Sequence, residues 1–319
     1  MTTGERLQRQ ARVPPELQGR RLDQAATALF GEFSRARLQH WIGSGDLRVD
    51  GVARRSRDRV AGGEWLSLDT HLEPAGDWAE QEVPLPLVYE DSELLVLDKP
   101  AGLVVHPGAG NRDGTLLNGL LRHCPELRAL PRAGIVHRLD KDTTGLLVVA
   151  KTLRAHTDLV AQLRSRSVAR DYDALVRGRI IAGGTVDAPM GRHPRARTRM
   201  AVVAGGRTAV THYRVARRLP HHTLLRVSLD TGRTHQIRVH MAHLGHPVVG
   251  DPVYGGRLQL PADLTAAGAA ALRAFRRQAL HAARLSLRHP ATGAAMTWEA
   301  PLPADFAALL AALGADAES

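Results

Sequence analysis

Two carboxylates, Asp140 and Asp142, lie in the polar loop His-Arg-Leu-Asp-Lys-Asp-Thr-Thr at residues 137–144. Apolar, strand-like runs flank this loop on both sides. The pattern places the carboxylates at the end of a strand, beside the cationic groups of Arg138 and Lys141. A carboxylate in such a place stays ionised and can act as a nucleophile or as a base. The alternative is a solvated loop of salt bridges, which would contribute little.

An aromatic side chain with a hydroxyl, Tyr172, lies in the segment Arg-Asp-Tyr-Asp-Ala-Leu-Val-Arg-Gly at residues 170–178. The alternation of this segment predicts a half-buried strand with Tyr172 on its apolar face. A tyrosine can stack on a nucleic-acid base and also offer its hydroxyl. Strand tyrosines are also common as core or rim residues, so the pattern leaves both roles open.

A third segment, Thr-Gly-Arg-Thr-His-Gln-Ile-Arg-Val-His-Met-Ala-His-Leu-Gly-His, follows a predicted strand at residues 224–229. Thr234 is predicted to cap a helix that carries Arg238 one turn from its start. The histidines of this segment invite a zinc interpretation, but their spacing is not His-Glu-x-x-His and no acidic ligand is close in sequence. We therefore expect hydrogen-bonded histidines and no metal site. The histidines concerned are His240, His243 and His246.

The chain is strongly basic, and nearly all of its basic residues are arginine. Its 319 residues include 43 Lys and Arg against 32 Asp and Glu, which gives a formal net charge of +11. Only Lys99, Lys141 and Lys151 are lysines. An excess of this size favours a polyanionic partner. The guanidinium plane suits RNA because it stacks on bases and forks onto phosphates.

Composition and motifs exclude several classes of protein. The single cysteine, Cys124, rules out an internal disulfide framework and a Cys-rich zinc site. No run approaches the ~18 apolar residues of a membrane span and no signal peptide is visible, so we expect a cytoplasmic protein with no membrane partner. The Gly-rich segment 108–114 could hold a phosphate, but it lacks the Gly-Lys-Ser/Thr of a P-loop. We expect a surface loop there and no cofactor.

A small basic module of two helices and two strands is predicted over residues 15–75. Ser34 is predicted to cap the second helix, and Asp50-Gly51 forms a tight turn after the first strand. The helices are marked by apolar residues at helical spacing, which are Leu22, Ala25, Ala26 and Leu29, then Leu38, Trp41 and Ile42; the strands cover residues 47–49 and 65–68.

Composition sets the remaining boundaries. The first residues are polar and irregular and predict a flexible tail. An acidic, irregular linker separates the basic module from a larger domain of short strands and two or three helices. A tail that includes a short helix, residues 307–313, closes the chain. The predicted boundaries are 1–14 for the first tail, 15–75 for the basic module, 76–83 for the linker, 84–303 for the larger domain and 304–319 for the last tail.

The conjunction of these motifs resembles a known family. It is carried by IVHRLDKDTTGLLVVAK, RDYDALVRG and TGRTHQIRVHMAHLGHPVVGDPVYG, which are similar in order and spacing to the RluA-type pseudouridine synthases. The N-terminal stretch RLDQAATALFGEFSRARLQHWIGSGDLRVDG resembles the S4 RNA-binding domain, and HPGAGNRDGTLLNGLL resembles the branch of the family that acts on large-subunit ribosomal RNA. The resemblance covers roughly residues 20–303.

The resemblance implies an α+β fold and a set of roles. The expected sheet is mixed, mainly antiparallel and bent around a catalytic cleft, and a small S4 domain built on an αα-hairpin precedes it. In the S4 family the second helix presents basic residues to RNA phosphates; here these are Arg35 and Arg37.

The resemblance also assigns the catalytic positions. Asp140 matches the catalytic aspartate, Arg238 its guanidinium partner and Tyr172 the active-site aromatic residue. Arg138 matches the arginine that enters the gap left by a flipped base. Asp142 matches a position that is not the nucleophile.

The implied function is isomerisation of specific uridines to pseudouridine in large-subunit (23S) ribosomal RNA. The carboxylate either attacks C1′ or removes the C2′ proton, and the sequence leaves both open. Nothing is oxidised or hydrolysed, so no cofactor is expected. Two alternatives remain: a non-catalytic RNA-binding or ribosome-assembly protein, and a uracil-excising N-glycosylase. The expected partner is 23S rRNA or the large ribosomal subunit, bound by a monomer.

Overall fold

The computed structural model describes residues 6–31, 33, 35–71, 78–108, 110–196 and 198–314 and has the predicted α+β fold. The helices are α1 (Leu22–Leu29), α2 (Arg35–Ser44), α3 (Leu116–His123), α4 (Leu153–Arg164), α5 (Gln236–His243), α6 (Ala266–Ala274) and α7 (Ala304–Gly314). The strands are β1 (Arg6–Arg12), β2 (Leu47–Val49), β3 (Trp65–His71), β4 (Leu87–Glu90), β5 (Leu94–Lys99), β6 (Thr144–Ala150), β7 (Ala169–Arg177), β8 (Gly184–Asp187), β9 (Met190–Arg192), β10 (Met200–Val202), β11 (Val210–Arg218), β12 (His222–Leu229), β13 (Leu280–Arg288) and β14 (Ala295–Glu299). None of the described helices is long and apolar enough to cross a membrane.

The N-terminal part of the chain is a three-stranded antiparallel sheet, in the order β1-β3-β2, whose core is shared with α1 and α2. The predicted helices and the strands β2 and β3 are confirmed. Asp50 and Gly51 follow β2 with φ angles of 48° and 78°. Positive φ at both positions is the geometry that an Asp-Gly turn favours. Ser34, the predicted cap of α2, lies outside the described residues.

The prediction of a flexible N-terminal tail is wrong for residues 6–12. They form β1, which pairs with β3 along its whole length. Leu7 is buried in the N-terminal core, whereas most other side chains of the strand are polar and exposed. Charged side chains are frequent on edge strands because they discourage pairing with other chains. Such a strand therefore has the composition of a tail.

The larger part of the chain is built on one sheet, which has nine strands within the described residues. Their order is β4-β5-β6-β13-β7-β12-β11-β8, with β14 also paired to β13. Of these described neighbours, only β6 and β13 run parallel, so the predicted mixed, mainly antiparallel sheet is confirmed. β6 is buried throughout because Leu147 faces one apolar cluster and Val148 the other. Both faces of the sheet are therefore covered at β6.

β7 differs from the half-buried strand that the sequence predicted. It lies between β13 and β12, and every residue from Tyr172 to Val176 is buried. The polar residue Asp173 suggested that one face of the strand is exposed to solvent. Its carboxylate instead contacts Arg226 of β12, and the residue is buried. Central strands are buried on both faces, and a single polar residue does not reveal this.

The last described helix is packed on the main core. The helix predicted at residues 307–313 is confirmed as part of α7, and Phe306 is fully buried. Arg277 donates two hydrogen bonds of 2.7 Å to Asp305. The predicted boundary of a C-terminal tail at residue 304 is therefore wrong, because residues 304–314 belong to the main core. Residues 78–83 of the predicted linker are irregular, as expected.

Candidate active site

A cleft of about 600 Å³ brings together residues from all three motifs of the larger domain. Its walls include Arg138 and Asp140 from the polar loop before β6, Tyr172 from β7 and Arg238 from α5. Among the described residues that line it, eight are arginines and only Asp140 and Asp230 are acidic. Such a cleft is strongly cationic and suits an anionic ligand.

Asp140 lies at the start of a tight turn that leads into β6. Its main-chain oxygen accepts a hydrogen bond of 3.1 Å from the amide of Thr143. The carboxylate Oδ2 accepts a hydrogen bond of 3.0 Å from Nη1 of Arg238, and Oδ1 lies 3.8 Å from Nε2 of His235. The structure thus brings the predicted pair, Asp140 and Arg238, into direct contact across 98 residues of sequence.

Asp251, which sequence reasoning did not single out, holds the guanidinium of Arg238 in place. Nε and Nη2 of Arg238 donate to the two carboxylate oxygens of Asp251 at 2.7 and 2.8 Å. Asp251 also accepts hydrogen bonds from the amides of Val253 and Tyr254. Burial alone would lower the pKa of Arg238, but the two aspartates raise it above its ordinary value. Arg238 therefore stays charged and keeps Nη1 for Asp140.

The helix that carries Arg238 begins at Gln236 with His235 as its N-cap residue, so the prediction that Thr234 caps it is wrong. His235 has φ 57° and ψ 24°, a left-handed conformation that is costly for a residue with a side chain. Its Nδ1 lies 2.8 Å from the hydroxyl of Tyr254, which also accepts a hydrogen bond from the amide of Met200. Burial lowers the pKa of His235, so its ring faces Asp140 in the neutral form at neutral pH.

The other predicted site residues divide between the cleft and its surroundings. Tyr172 is 5% exposed and lines the cleft, and burial raises the pKa of its hydroxyl. Arg138 lines the same cleft with an exposed side chain. Asp142 is not among the described residues of the cleft wall.

Lys99 is a buried cation beside the loop that carries Asp140, and sequence reasoning did not single it out. Its ammonium donates to the carbonyl oxygens of Pro100, Leu103 and Lys141 at 2.7, 3.0 and 2.9 Å. The bond to Lys141 holds the chain directly after Asp140. Burial lowers the pKa of Lys99 to about 8. The available signal was a lysine two residues after the apolar run 94–97 and directly before Pro100.

Two of the three histidines that invited a zinc interpretation, His240 and His246, make hydrogen bonds within the protein. The ring nitrogens of His240 lie 2.8 Å from the hydroxyl of Thr211 and 3.0 Å from the carbonyl of Ala188. His246 Nδ1 lies 2.9 Å from the carbonyl of Arg177. Within the described part of the chain, no group of three or more His, Cys, Asp or Glu residues is arranged to hold a metal ion.

Two amides of the Gly-rich loop are likewise used within the protein. The amide of Gly108 donates to the carbonyl of Asn111 at 2.8 Å. The amide of Gly114 donates to the side chain of Gln81 at 2.6 Å.

The predicted RNA-binding arginines of α2 lie outside the cleft and have partners. Arg35 donates to the buried carboxylate of Asp23 at 2.6 Å. The guanidinium of Arg37 lies 5.5 Å from the ring centre of Trp41. Both contacts orient the two side chains on the surface of the N-terminal part.

Comparison with known proteins places this site in context. Residues 93–243 match the model of the RNA pseudouridylate synthase family. The chain is 59% identical over 313 residues to the ribosomal large subunit pseudouridine synthase D of Pseudomonas aeruginosa, with 98% of each chain covered. It is 50% identical over 315 residues to the protein of that name from Escherichia coli strain K12, with 98% of this chain and 97% of the other covered.

Solved structures are also similar. The human RNA pseudouridylate synthase domain containing 4 matches with a TM-score of 0.56 and 27% identity, over 71% of this chain and 92% of that one. The human RNA pseudouridylate synthase domain containing 1 matches with a TM-score of 0.53 and 26% identity, over 68% of this chain and 83% of that one.

Proposed function

Because the chain belongs to the RNA pseudouridylate synthase family, we propose that it converts uridines to pseudouridine in the RNA of the large ribosomal subunit, with Asp140 as the reacting carboxylate. The activity follows from the family, and the chain is an RNA pseudouridine synthase. Relatives named for the large ribosomal subunit match this chain over nearly its whole length, which supports ribosomal RNA as the substrate.

The observation that carries the assignment of Asp140 is its contact with Arg238 inside a cationic cleft. Asp230, the other aspartate among the described cleft residues, is paired with Arg166 and His212 at 3.3 and 3.2 Å. Asp140 is therefore the carboxylate best placed to meet a bound nucleotide. Its side chain is 13% exposed, so it can touch substrate while most solvent is excluded.

The reaction can be written with these side chains. A uridine leaves its stack and enters the cleft, which costs a few kcal/mol. Stacking on Tyr172 and insertion of Arg138 into the gap in the RNA offset part of that cost. Asp140 then attacks C1′ or removes the C2′ proton while the N1–C1′ bond breaks. Arg238 holds the carboxylate in place. The uracil turns and its C5 bonds to C1′, while Asp140 either leaves C1′ or returns the proton to C2′. C5 then loses its proton and N1 takes one up.

The N-terminal part is proposed to bind RNA away from the reacting base. Arg35 and Arg37 are oriented on the surface of a small basic unit, which suits contact with phosphates. We assign to the protein a monomeric state and a cytoplasmic location, where ribosomal RNA is made and assembled. The partner is large-subunit RNA or the assembled subunit.

Replacement of the carboxylate tests the proposal. Asp140→Asn keeps the shape but is neither nucleophile nor base, so we expect pseudouridine formation to fall by about 1,000-fold or more. Tritium release from C5-labelled uridine in large-subunit rRNA measures this. Asp142→Asn is the matched control and should keep substantial turnover. Activity of Asp140→Asn within about tenfold of wild type would contradict the assignment, and free uracil as product would indicate an N-glycosylase.

A further inference from the structure

Arg170 is a buried arginine in the cleft wall that has no carboxylate partner among the described residues. It precedes Tyr172 by two positions on β7, so the two side chains leave the strand on the same face. Both line the cleft. Arg170 is 7% exposed and its Nε makes no hydrogen bond. Its Nη2 reaches the carbonyl of Leu229 at the long distance of 3.4 Å.

A buried guanidinium without an anion is costly, because the protein does not replace the water that the charge has lost. Nevertheless, a neighbouring glycine provides the space that the guanidinium of Arg170 needs. A Cβ at Gly232 would lie 2.9 Å from Nη1 of Arg170, so the glycine leaves the space that the guanidinium occupies. This cation lies two residues from Tyr172 and has no anionic partner in the described part of the chain, so its counter-charge is expected to arrive with the substrate.

We propose that Arg170 is a catalytic residue that binds the detached uracil as an anion. The inference rests on the proposed function. When the N1–C1′ bond breaks, its electron pair stays with the base, and the negative charge spreads over N1, O2 and O4. C5 of this anion then bonds to C1′, C5 loses its proton and N1 takes one up, so the isomer has the same atoms and charge as the uridine.

The buried position of Arg170 favours the base over a phosphate as its ligand. Arg138 and Arg166 line the same cleft with exposed side chains, which backbone phosphates can reach. Arg170 is 7% exposed, so its ligand must enter the cleft, as a base that has left the stack does. A fixed cation in a site that excludes water stabilises a charge that develops during the reaction more than it stabilises the neutral ground state. Arg170 therefore acts on rate more than on affinity.

The experiment compares variants of the full-length protein in single-turnover reactions at saturating rRNA. Arg170→Gln should lower the rate by about 100-fold or more, with RNA affinity and its salt dependence unchanged. Arg170→Lys keeps the charge and should retain more of the rate. Gly232→Ala leaves Arg170 in place but displaces its guanidinium, so it should show a loss of the same kind. Arg177→Gln, at the other end of β7 and outside the cleft, is the matched control at wild-type rate.

A change of leaving group separates this role from a structural one. Fluorine at C5 stabilises the uracil anion, so the defect of Arg170→Gln in cleavage of the N1–C1′ bond should be smaller on RNA that carries 5-fluorouridine at the target. An equal defect on both substrates would overturn the proposal, and so would an unchanged rate in Arg170→Gln.

Two further outcomes would overturn it. An unchanged rate with a salt slope reduced by about 0.7–0.9 would make Arg170 a phosphate ligand. Equal losses in the Arg170 and Arg177 variants would indicate damage to the strand. If Arg170→Gln does not fold, the single-turnover rate of Gly232→Ala tests the proposal: a loss supports it and an unchanged rate contradicts it. A wild-type protein that forms no pseudouridine would refute the proposed function itself, which is a different failure.

Discussion

At the scale of single residues, the carboxylate of Asp140 depends on groups that are themselves held. Arg238 reaches it with one nitrogen because Asp251 occupies two others. His235 faces its second oxygen in a left-handed conformation that the contact with Tyr254 supports. The segment from Asp251 to Tyr254 therefore holds both partners of the carboxylate that we propose reacts, although no contact between this segment and Asp140 is seen among the described residues.

Asp251→Asn should lower the single-turnover rate at saturating RNA by about 100-fold and leave RNA affinity unchanged. The amide keeps the size of the side chain but cannot hold both nitrogens of Arg238 as a carboxylate does, and a shift of about 1 Å at a reacting group costs a factor of this size. The measurement is a double-mutant cycle with Arg238→Ala. If Asp251 acts through Arg238, adding Asp251→Asn to Arg238→Ala costs little more, whereas additive losses would contradict this role.

Lys99 gives a prediction for the pH dependence of stability. Burial lowers its pKa to about 8 in the folded protein, below the ordinary value of 10.5. Between these two values the unfolded chain holds a proton that the folded chain has released, so the contribution of Lys99 to stability increases with pH. Denaturant unfolding of wild type and Lys99→Met should show a difference that shifts by about 1 kcal/mol in favour of wild type between about pH 7 and pH 9. A constant difference would mean that Lys99 does not titrate in this range.

At the scale of elements, the sequence predicted those whose apolar spacing is regular and missed those defined by their neighbours. α1 and α2 and the β2 turn were predicted because their signals are local. β1 was missed because a polar edge strand and a tail have the same composition. β7 is buried because it lies between β12 and β13 in the middle of the sheet and packs into the main core, and no local window contains these neighbours.

In the candidate site, too, some residues could be predicted from the sequence, whereas others depend on contacts between distant parts of the chain. Asp140, Tyr172 and Arg238 came from the family resemblance, and the structure brings them into one cleft. Asp251 lay inside a quoted motif, but its contact with Arg238 depends on how the chain after α5 folds back. The left-handed start of α5 at His235 could not be predicted either, because a threonine one residue earlier is the better cap by type.

Helix α7 is the element whose contribution to stability is most easily measured. Phe306 is fully buried in the main core, with Phe275 at a ring-centre distance of 6.1 Å. Phe306→Ala should therefore lower the free energy of unfolding by about 3–5 kcal/mol. Ala307→Ser, on the exposed side of the same helix, is the control and should change it by less than about 1 kcal/mol. A loss below about 1 kcal/mol in Phe306→Ala would mean that α7 behaves as the tail that composition suggested.

At the scale of the whole molecule, α4 connects the two parts of the chain. Its first residue, Leu153, packs against the N-terminal core and against the main core. Farther along the same helix, Val160, Leu163 and Arg164 line the cleft. We therefore propose that an RNA bound to the N-terminal part continues along α4 to Asp140. The net charge of +11 favours such binding.

This arrangement predicts that binding and chemistry respond differently to charge on the N-terminal part. Arg55 and Arg57 are exposed there and lie outside the cleft wall. If each neutralises one phosphate, replacing both by Gln lowers the slope of log K against log salt by about 1.4–1.8. The single-turnover rate at saturating RNA should not change, because neither residue reaches the reacting base. Arg284→Gln, on β13 and paired with Glu299, is the control for loss of charge alone.

The measurement is RNA affinity between about 50 and 200 mM salt, over which wild type should lose on the order of a hundredfold if it contacts four or more phosphates. An unchanged slope in the double variant would show that the RNA does not cross this surface, and a slower rate at saturating RNA would place the N-terminal part within the active site.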